Sequence, residues 1–123
     1  MKILLIVFLF TFIGITSIFT QHSVESPDGN IRISFRLNSD LEPQYNITYR
    51  SQNFLKWSNL GLNFKGSGEL NSGFKITSIE NNSIDETFRI YSGKSAYSRN
   101  YCNEIKISLE EKNSPNRKLD IYL

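Results

Sequence analysis

Hydrophobic and polar residues alternate along most of this chain after its first twenty positions. Residues 31–37, IRISFRL, put Ile31, Ile33, Phe35 and Leu37 on one side and Arg32, Ser34 and Arg36 on the other. That is the period of a strand with one wet face. The run YNITY repeats it with Tyr45, Ile47 and Tyr49. Between them lies NSDLEP, whose Asn, Ser, Asp and Pro bond to their own backbone or fix φ, so the two runs predict a hairpin. Further strands are predicted at NFLKW around Phe54 to Trp57, LGLNF at 60–64, FKITSI at 74–79, ETFRIY at 86–91, EIKISL at 104–109 and LDIYL at 119–123. KGSGELNSG, ENNSID and EKNSPNR read as the turns between them. About eight short strands without a helical period predict an all-β fold, an antiparallel sandwich or barrel. LDIYL has strand composition, and a strand standing last in a sheet exposes an unpaired edge.

The first twenty residues, MKILLIVFLFTFIGITSIFT, hold one charge, Lys2, ahead of an apolar run. They predict a signal peptide over residues 1–20 and a secreted or periplasmic domain over residues 21–123. Cleavage is best placed after Ser17 or Thr20, since no Ala-x-Ala occurs. Left uncut, ~18 apolar residues would suffice to tether the domain to a bilayer. After cleavage no stable membrane association is expected, and the remaining length of about one hundred residues suits one domain.

Charge and composition narrow the chemistry. A net charge of +2 gives no steering toward nucleic acid. The local basic patch, Asn116 to Lys118, is bounded by acidic residues and reads as a solvated turn. Cys102 is the only cysteine and His22 the only histidine, so neither a disulfide nor a Cys/His zinc site is available. His22 stands near the cleavage point, where a mobile chain end is expected, which leaves no base for a nucleophilic triad. Asp85 with Glu86 and Glu110 with Glu111 are sequence neighbours and face opposite sides of a strand. Glycoside hydrolysis needs two carboxyl groups about 5 to 9 Å apart across a bond, so no catalytic residue is assigned.

Phe35, Tyr45, Tyr49, Phe64, Phe74 and Phe88 fall in phase with aliphatic neighbours and are expected in the core. Trp57, Tyr91, Tyr97 and Tyr101 lie nearer strand ends and are candidates for a groove. Asn46 and Asn81 begin Asn-x-Ser/Thr sequons. In SRNYCNEIKISLEE, residues 98–111, Arg99, Asn103 and Glu104 form the most conspicuous polar group. Two readings are open: Arg99 holds a carboxylate or pins a neighbouring domain, or all three satisfy loop backbone at the start of a strand.

The order of several short motifs adds to this. SPDGNIRISF from Ser26, YNITY from Tyr45, SNLGL from Ser58, IDETF from Ile84, Gly93, and RNYCNEIKISL from Arg99 together resemble the N-terminal domain of glycoside hydrolase family 97, from Ser26 to the last residue. Each motif alone is weak; six in order are specific. The chain departs from the family pattern at Phe88, where tryptophan is usual, at Lys94, where glutamate usually follows the glycine, and at Cys102, where tyrosine usually precedes Asn-Glu.

The resemblance implies a portion of a large mutarotase-like β-sandwich, truncated here. In complete exported α-glucosidases and α-galactosidases of the family, this sandwich precedes a (β/α)8 barrel. It implies that the acid and base lie on the barrel, and that calcium is held mainly there with one glutamate from downstream in the sandwich. No catalytic residue, metal or other cofactor is therefore expected in this chain. The implied partner is a catalytic barrel of the same or a split chain, with an α-linked glycan as a second ligand. Arg99, Asn103, Glu104 and Tyr91 are expected at a domain contact or pocket rim. The expected function is a non-catalytic, carbohydrate-binding-type region that buttresses the barrel. The alternative is a free-standing secreted sandwich that binds glycan or a partner protein.

Overall fold

The computed structural model describes residues 20–123. The expected signal peptide, residues 1–20, lies outside the described residues except for Thr20. Among the described residues there is no helix; nine strands, β1 (His22–Glu25), β2 (Ile31–Leu37), β3 (Pro43–Tyr49), β4 (Gln52–Asn59), β5 (Leu62–Phe64), β6 (Gly68–Leu70), β7 (Phe74–Arg89), β8 (Tyr97–Glu111) and β9 (Lys118–Tyr122), make up the fold. A four-stranded antiparallel sheet runs β1-β2-β3-β4, a three-stranded one runs β7-β8-β9, and β5-β6 form a small hairpin. The alternation left an antiparallel sandwich or a barrel open; the chain forms antiparallel sheets with no closed barrel, the sandwich that the family resemblance implied.

The core lies between the two larger sheets. Phe35 of β2 packs with Phe74 of β7 and with Ile105, Ile107 and Leu109 of β8, while Leu70 of β6 closes one end. Val24, Leu37, Ile76, Ile79, Leu119 and Ile121 pack around this cluster. Fully burying side chains of this size stabilises by about 1.5–3 kcal/mol each. Phe74, Ile76 and Ile79 do not share one period-two face in sequence. A register shift between Ile76 and Ser78 in the β7-β8 ladder inserts one residue, as a β-bulge does, and returns Ile79 to the face where Ile107 is its partner.

Four expectations require correction. His22 is not in a mobile end: β1 pairs with β2, His22 opposite Phe35 and Glu25 opposite Arg32. Four residues are too few to show a period, and the pairing is supplied by β2. KGSGELNSG is not all turn, since it holds β6 and the core residue Leu70. ENNSID is not a turn, because β7 passes through it without a break and pairs with β8 from Phe74 to Arg89. Its polar residues point to solvent on an exposed ribbon, where turn-forming side chains cause no burial conflict. Finally, Tyr49, Phe64 and Phe88 are exposed rather than core, at 45%, 42% and 51%, because no opposing sheet reaches them.

The connections have local causes. In the β1-β2 turn the Asp28 carboxylate accepts from the Ser26 hydroxyl (2.5 Å), the Asn30 backbone N–H (3.1 Å) and the Asn30 side chain (2.6 Å). Gly29 there takes φ +69°, a left-handed conformation that glycine adopts without strain. Gly61 has a different role. A Cβ on it would stand 2.7 Å from Asn71 Cβ and 3.1 Å from Asn71 Cα, so the segment between β4 and β5 approaches β6 closely only because the side chain is absent.

Candidate functional site

The residues singled out in the sequence lie on the β7-β8 ribbon. Near β9 the odd-numbered face of β8 is core (Ile105, Ile107, Leu109); farther out the same face carries Asn103, Tyr101, Arg99 and Tyr97. Beyond the reach of β9, which pairs only with Lys106 to Glu110, the ribbon is two strands wide. Tyr97 (63%), Tyr101 (52%) and Phe88 (51%) are exposed there, and Tyr91 in the connecting turn is 91% exposed.

Arg99, Asn103 and Glu104 do not form one cluster. Arg99 and Glu104 are five residues apart on a strand, hence on opposite faces and separated by about 17 Å along it. Arg99 is bidentate to Asp85, with Nε to Oδ1 at 2.7 Å and Nη2 to Oδ2 at 2.8 Å, and its guanidinium sits 4.6 Å from the Tyr101 ring centre. The arginine therefore does clamp a carboxylate, and the carboxylate belongs to the facing strand. The hydrogen bond from Arg99 holds Asp85 below the usual carboxylate range. Asp85 in turn raises Arg99.

Asn103 donates from Nδ2 to the Glu25 carbonyl at 2.8 Å. This bond joins β8 to β1, so it stitches one sheet to the other. Glu104 is half-buried on the opposite face and pairs across the ladder with Asn82. Tyr91 touches Arg89, whose guanidinium lies 5.7 Å from its ring centre. Of the four, Asn103 makes a structural link between sheets and shares with Glu104 the lining of a cavity of about 400 Å³ between β1 and the ribbon, Arg99 makes a link within the ribbon, and Tyr91 stands apart from these.

The structure shows two further groupings that the sequence reading missed. Arg117, read as part of a solvated turn, is a brace: its Nε and Nη2 bond both Glu111 carboxylate oxygens at 2.9 and 2.7 Å, and Nη2 reaches the Glu69 carbonyl at 2.6 Å. It ties the β8-β9 connection to β6. Glu111 is held below its ordinary range by the Arg117 hydrogen bonds. The second grouping is a polar chain on the outer face of the first sheet. Arg36 lies 4.0 Å from the Trp57 ring centre and donates to Gln44 at 3.0 Å, and Gln44 donates to Asn59 at 2.7 Å. Trp57 is thus half-buried under a cation instead of lining an open groove. Period-two spacing placed these side chains on one face, but their partners come from three strands.

The electrostatics favour ionised carboxylates. Asp28, Asp85, Glu111 and Asp120 are all shifted downward, each chiefly by a hydrogen bond to its charged form. A general acid in sugar chemistry needs the opposite shift, so these four are not suited to that role. Asp85 and Glu86, and likewise Glu110 and Glu111, occupy consecutive strand positions and so point to opposite faces. Among the described residues no three His, Cys, Asp or Glu side chains come together as a group that could hold a metal ion.

The sequence model described as glycosyl-hydrolase 97 N-terminal matches residues 24–123. This chain belongs to that family. Among solved structures, a glycoside hydrolase family 97 enzyme from Pseudoalteromonas sp. strain K8 in complex with panose superposes with a TM-score of 0.75 at 24% identity, over 82% of this chain and 15% of that one. The same values hold for the Pseudoalteromonas sp. strain K8 family 97 enzyme in complex with acarbose. A β-arabinopyranosidase matches with a TM-score of 0.70 at 23% identity, covering 82% of this chain and 16% of that one. The family 97 N-terminal fold is therefore shared, and the chain spans about 15% of the length of the family 97 enzymes it matches. In this family setting the SPDGN motif is the Asp28-centred turn, the glycine of SNLGL is the close approach at Asn71, and Asn103 of the Asn-Glu motif is the stitch between sheets.

Proposed function

We propose that this chain is a non-catalytic N-terminal region of an exported α-glycosidase, with the role of buttressing a catalytic (β/α)8 barrel that is not part of the 123 residues. The observation that supports this best is the family match over residues 24–123, with Asp85 and Glu111 each bonded by an arginine. The outer half of the β7-β8 ribbon, with Tyr97, Arg99, Tyr101 and Tyr91, is the surface offered to the barrel. Tyrosine and arginine are the residue types that anchor protein interfaces. Export follows from residues 1–20, and calcium in the complete enzyme would be held by residues outside this segment.

The test is hydrolysis of an aryl α-glucoside. The full chain alone is expected to give no turnover above buffer. Substituted for the equivalent segment of the Pseudoalteromonas family 97 enzyme, residues 24–123 are expected to support folding and turnover that deletion of the segment abolishes. Turnover by the isolated chain that vanished on changing one of its own side chains would overturn the reading.

A further inference from the structure

Strand β8 is bonded along both of its edges and β7 along one. Leu123 and Ile105 exchange backbone hydrogen bonds at 2.9 and 3.1 Å, so the odd-numbered residues of β8 turn their N–H and C=O groups to β9 and the even-numbered ones to β7. The bond from the Ile90 N–H to the Ala96 carbonyl (3.0 Å) fixes the same phase on β7. Its even-numbered residues bond β8, and Ile79, Asn81, Ser83, Asp85, Thr87 and Arg89 turn their backbone groups outward. Because β7 stands at the end of its sheet, this outer edge is about 33 Å of unpaired backbone. A cavity of about 400 Å³ borders it at Asn81, Asn82 and Ser83.

Two observations distinguish the edge. The Ser83 N–H donates to Oδ1 of its neighbour Asn82 at 3.0 Å, a bond that a side chain supplies where no facing strand does. The second is charge. The side chains of Glu80 and Glu86 share one face of β7 and are exposed, and among the described residues neither is in an ion pair. Asp85, on the other face, is held by Arg99.

Edge charges turn away copies of the same strand. A two-fold pairing centred on Ser83 would set Glu80 opposite Glu86 of the second copy, and like charges directly opposite are destabilising. The same two carboxylates attract a strand that carries cations opposite them.

We propose that the outer edge of β7 takes an extended, basic segment of a partner protein as a further antiparallel strand. Main-chain hydrogen bonds to the outward residues supply the binding, and alternate side chains select the partner. Phe88, Glu86, Ile84, Asn82 and Glu80, in that order, match apolar, cationic, apolar, polar and cationic residues at every second position of the segment. The added strand lies beside the ribbon and leaves the face of Tyr97, Arg99 and Tyr101 free, so the proposal holds or fails separately from the barrel reading.

The probe is a capped nonapeptide, VTKTVTNTK, added to the full chain and followed by amide hydrogen exchange, with VTETVTNTE as the charge control. In the free chain the amides of Asn81, Asp85 and Thr87 are expected to exchange faster than those of Asn82, Ile84 and Glu86. Millimolar lysine peptide is expected to slow the outward set about five-fold or more, which side-chain contact alone would not do, while the glutamate peptide leaves it unchanged. Thr87→Pro removes an outward donor where an edge strand tolerates proline and is expected to weaken binding of the lysine peptide about ten-fold. Should that variant fail to fold, Glu80→Gln combined with Glu86→Gln is expected to weaken it about five-fold. The proposal is overturned by outward amides that ignore the lysine peptide, by equal protection from the two peptides, or by binding that neither variant weakens. Outward amides that are already slow in the free chain and quicken on dilution would make a second copy the occupant and overturn it too. So would slow outward amides in the chimeric family 97 enzyme without peptide, which would make the rest of that enzyme the occupant.

Discussion

Asp28 makes the clearest case at the scale of single residues. Three donors bond its ionised form, the Ser26 hydroxyl most strongly, and its value falls from 3.8 to about 2. A carboxylate lowered by folding stabilises the folded state above its ordinary value, and that contribution disappears as pH falls through the folded value. The window is therefore between about pH 4 and pH 2. Asp28→Asn is expected to lower the urea midpoint at neutral pH and to flatten its decline through this window, so that the two proteins converge in acid. Parallel curves for variant and parent would show that the turn does not depend on the charge. Gly61 gives a steric counterpart. Its alanine variant must displace Asn71 Cβ and Cα, neither of which is a flexible side-chain end. Gly61→Ala is expected to cost about 1–3 kcal/mol, the range for overpacking, by chemical denaturation.

At the scale of elements, period-two alternation identified the longer strands whose inner faces meet another sheet, β2, β3 and β8 among them, and missed the short β1 and β6, whose Val24 and Leu70 also reach the core. Phe35, Ile105, Ile107 and Leu109 were legible because burial and period coincide in them. What the sequence hid follows from two physical circumstances. The long ribbon of β7 and β8 contains Asn81, Asn82, Ser83 and Asp85, residues that favour turns when isolated. Here they are held in register by fifteen partnerships with β8, a tertiary effect that propensity cannot register. The polar group at Arg99, Asn103 and Glu104 likewise looked like one cluster because its members are close in sequence. On a strand, parity puts Glu104 on the other face from Arg99 and Asn103, four residues of extended chain hold those two about 14 Å apart, and their partners Asp85 and Glu25 O lie 14 and 78 residues away. Core truncation provides the energetic check. Ile107→Ala is expected to cost about 2–5 kcal/mol, since Ile107 is fully buried between the sheets. Tyr97→Ala on the exposed ribbon is expected to change stability by no more than about 0.5 kcal/mol, and to act only on contact with another domain.

For the whole molecule, the two sheets do not cover one another completely. The inner face of β2 and β3 continues past the core as Ile31, Ile33, Ile47 and Tyr49, which with Phe54 line a wholly apolar cleft. Phe54 is 80% exposed. In the three-stranded sheet β9 stands at the end of the order, so the outer edge of Lys118–Tyr122 presents unpaired backbone groups among the described residues. An open strand edge and an exposed apolar face are each a recognised route to association. The isolated chain is therefore expected to self-associate as its concentration rises, detected as an increase in mass by light scattering. Phe54→Lys should reduce that association with little loss of stability, because the side chain it replaces is already in water. Tyr122→Pro should reduce it from the other side, by removing a backbone donor and stiffening the edge. If Phe54→Lys alone restores a monomer, the cleft drives the contact; if only the β9 variant does so, strand pairing drives it. A parent chain that stays monomeric at high concentration would mean that neither surface is sticky enough to drive association.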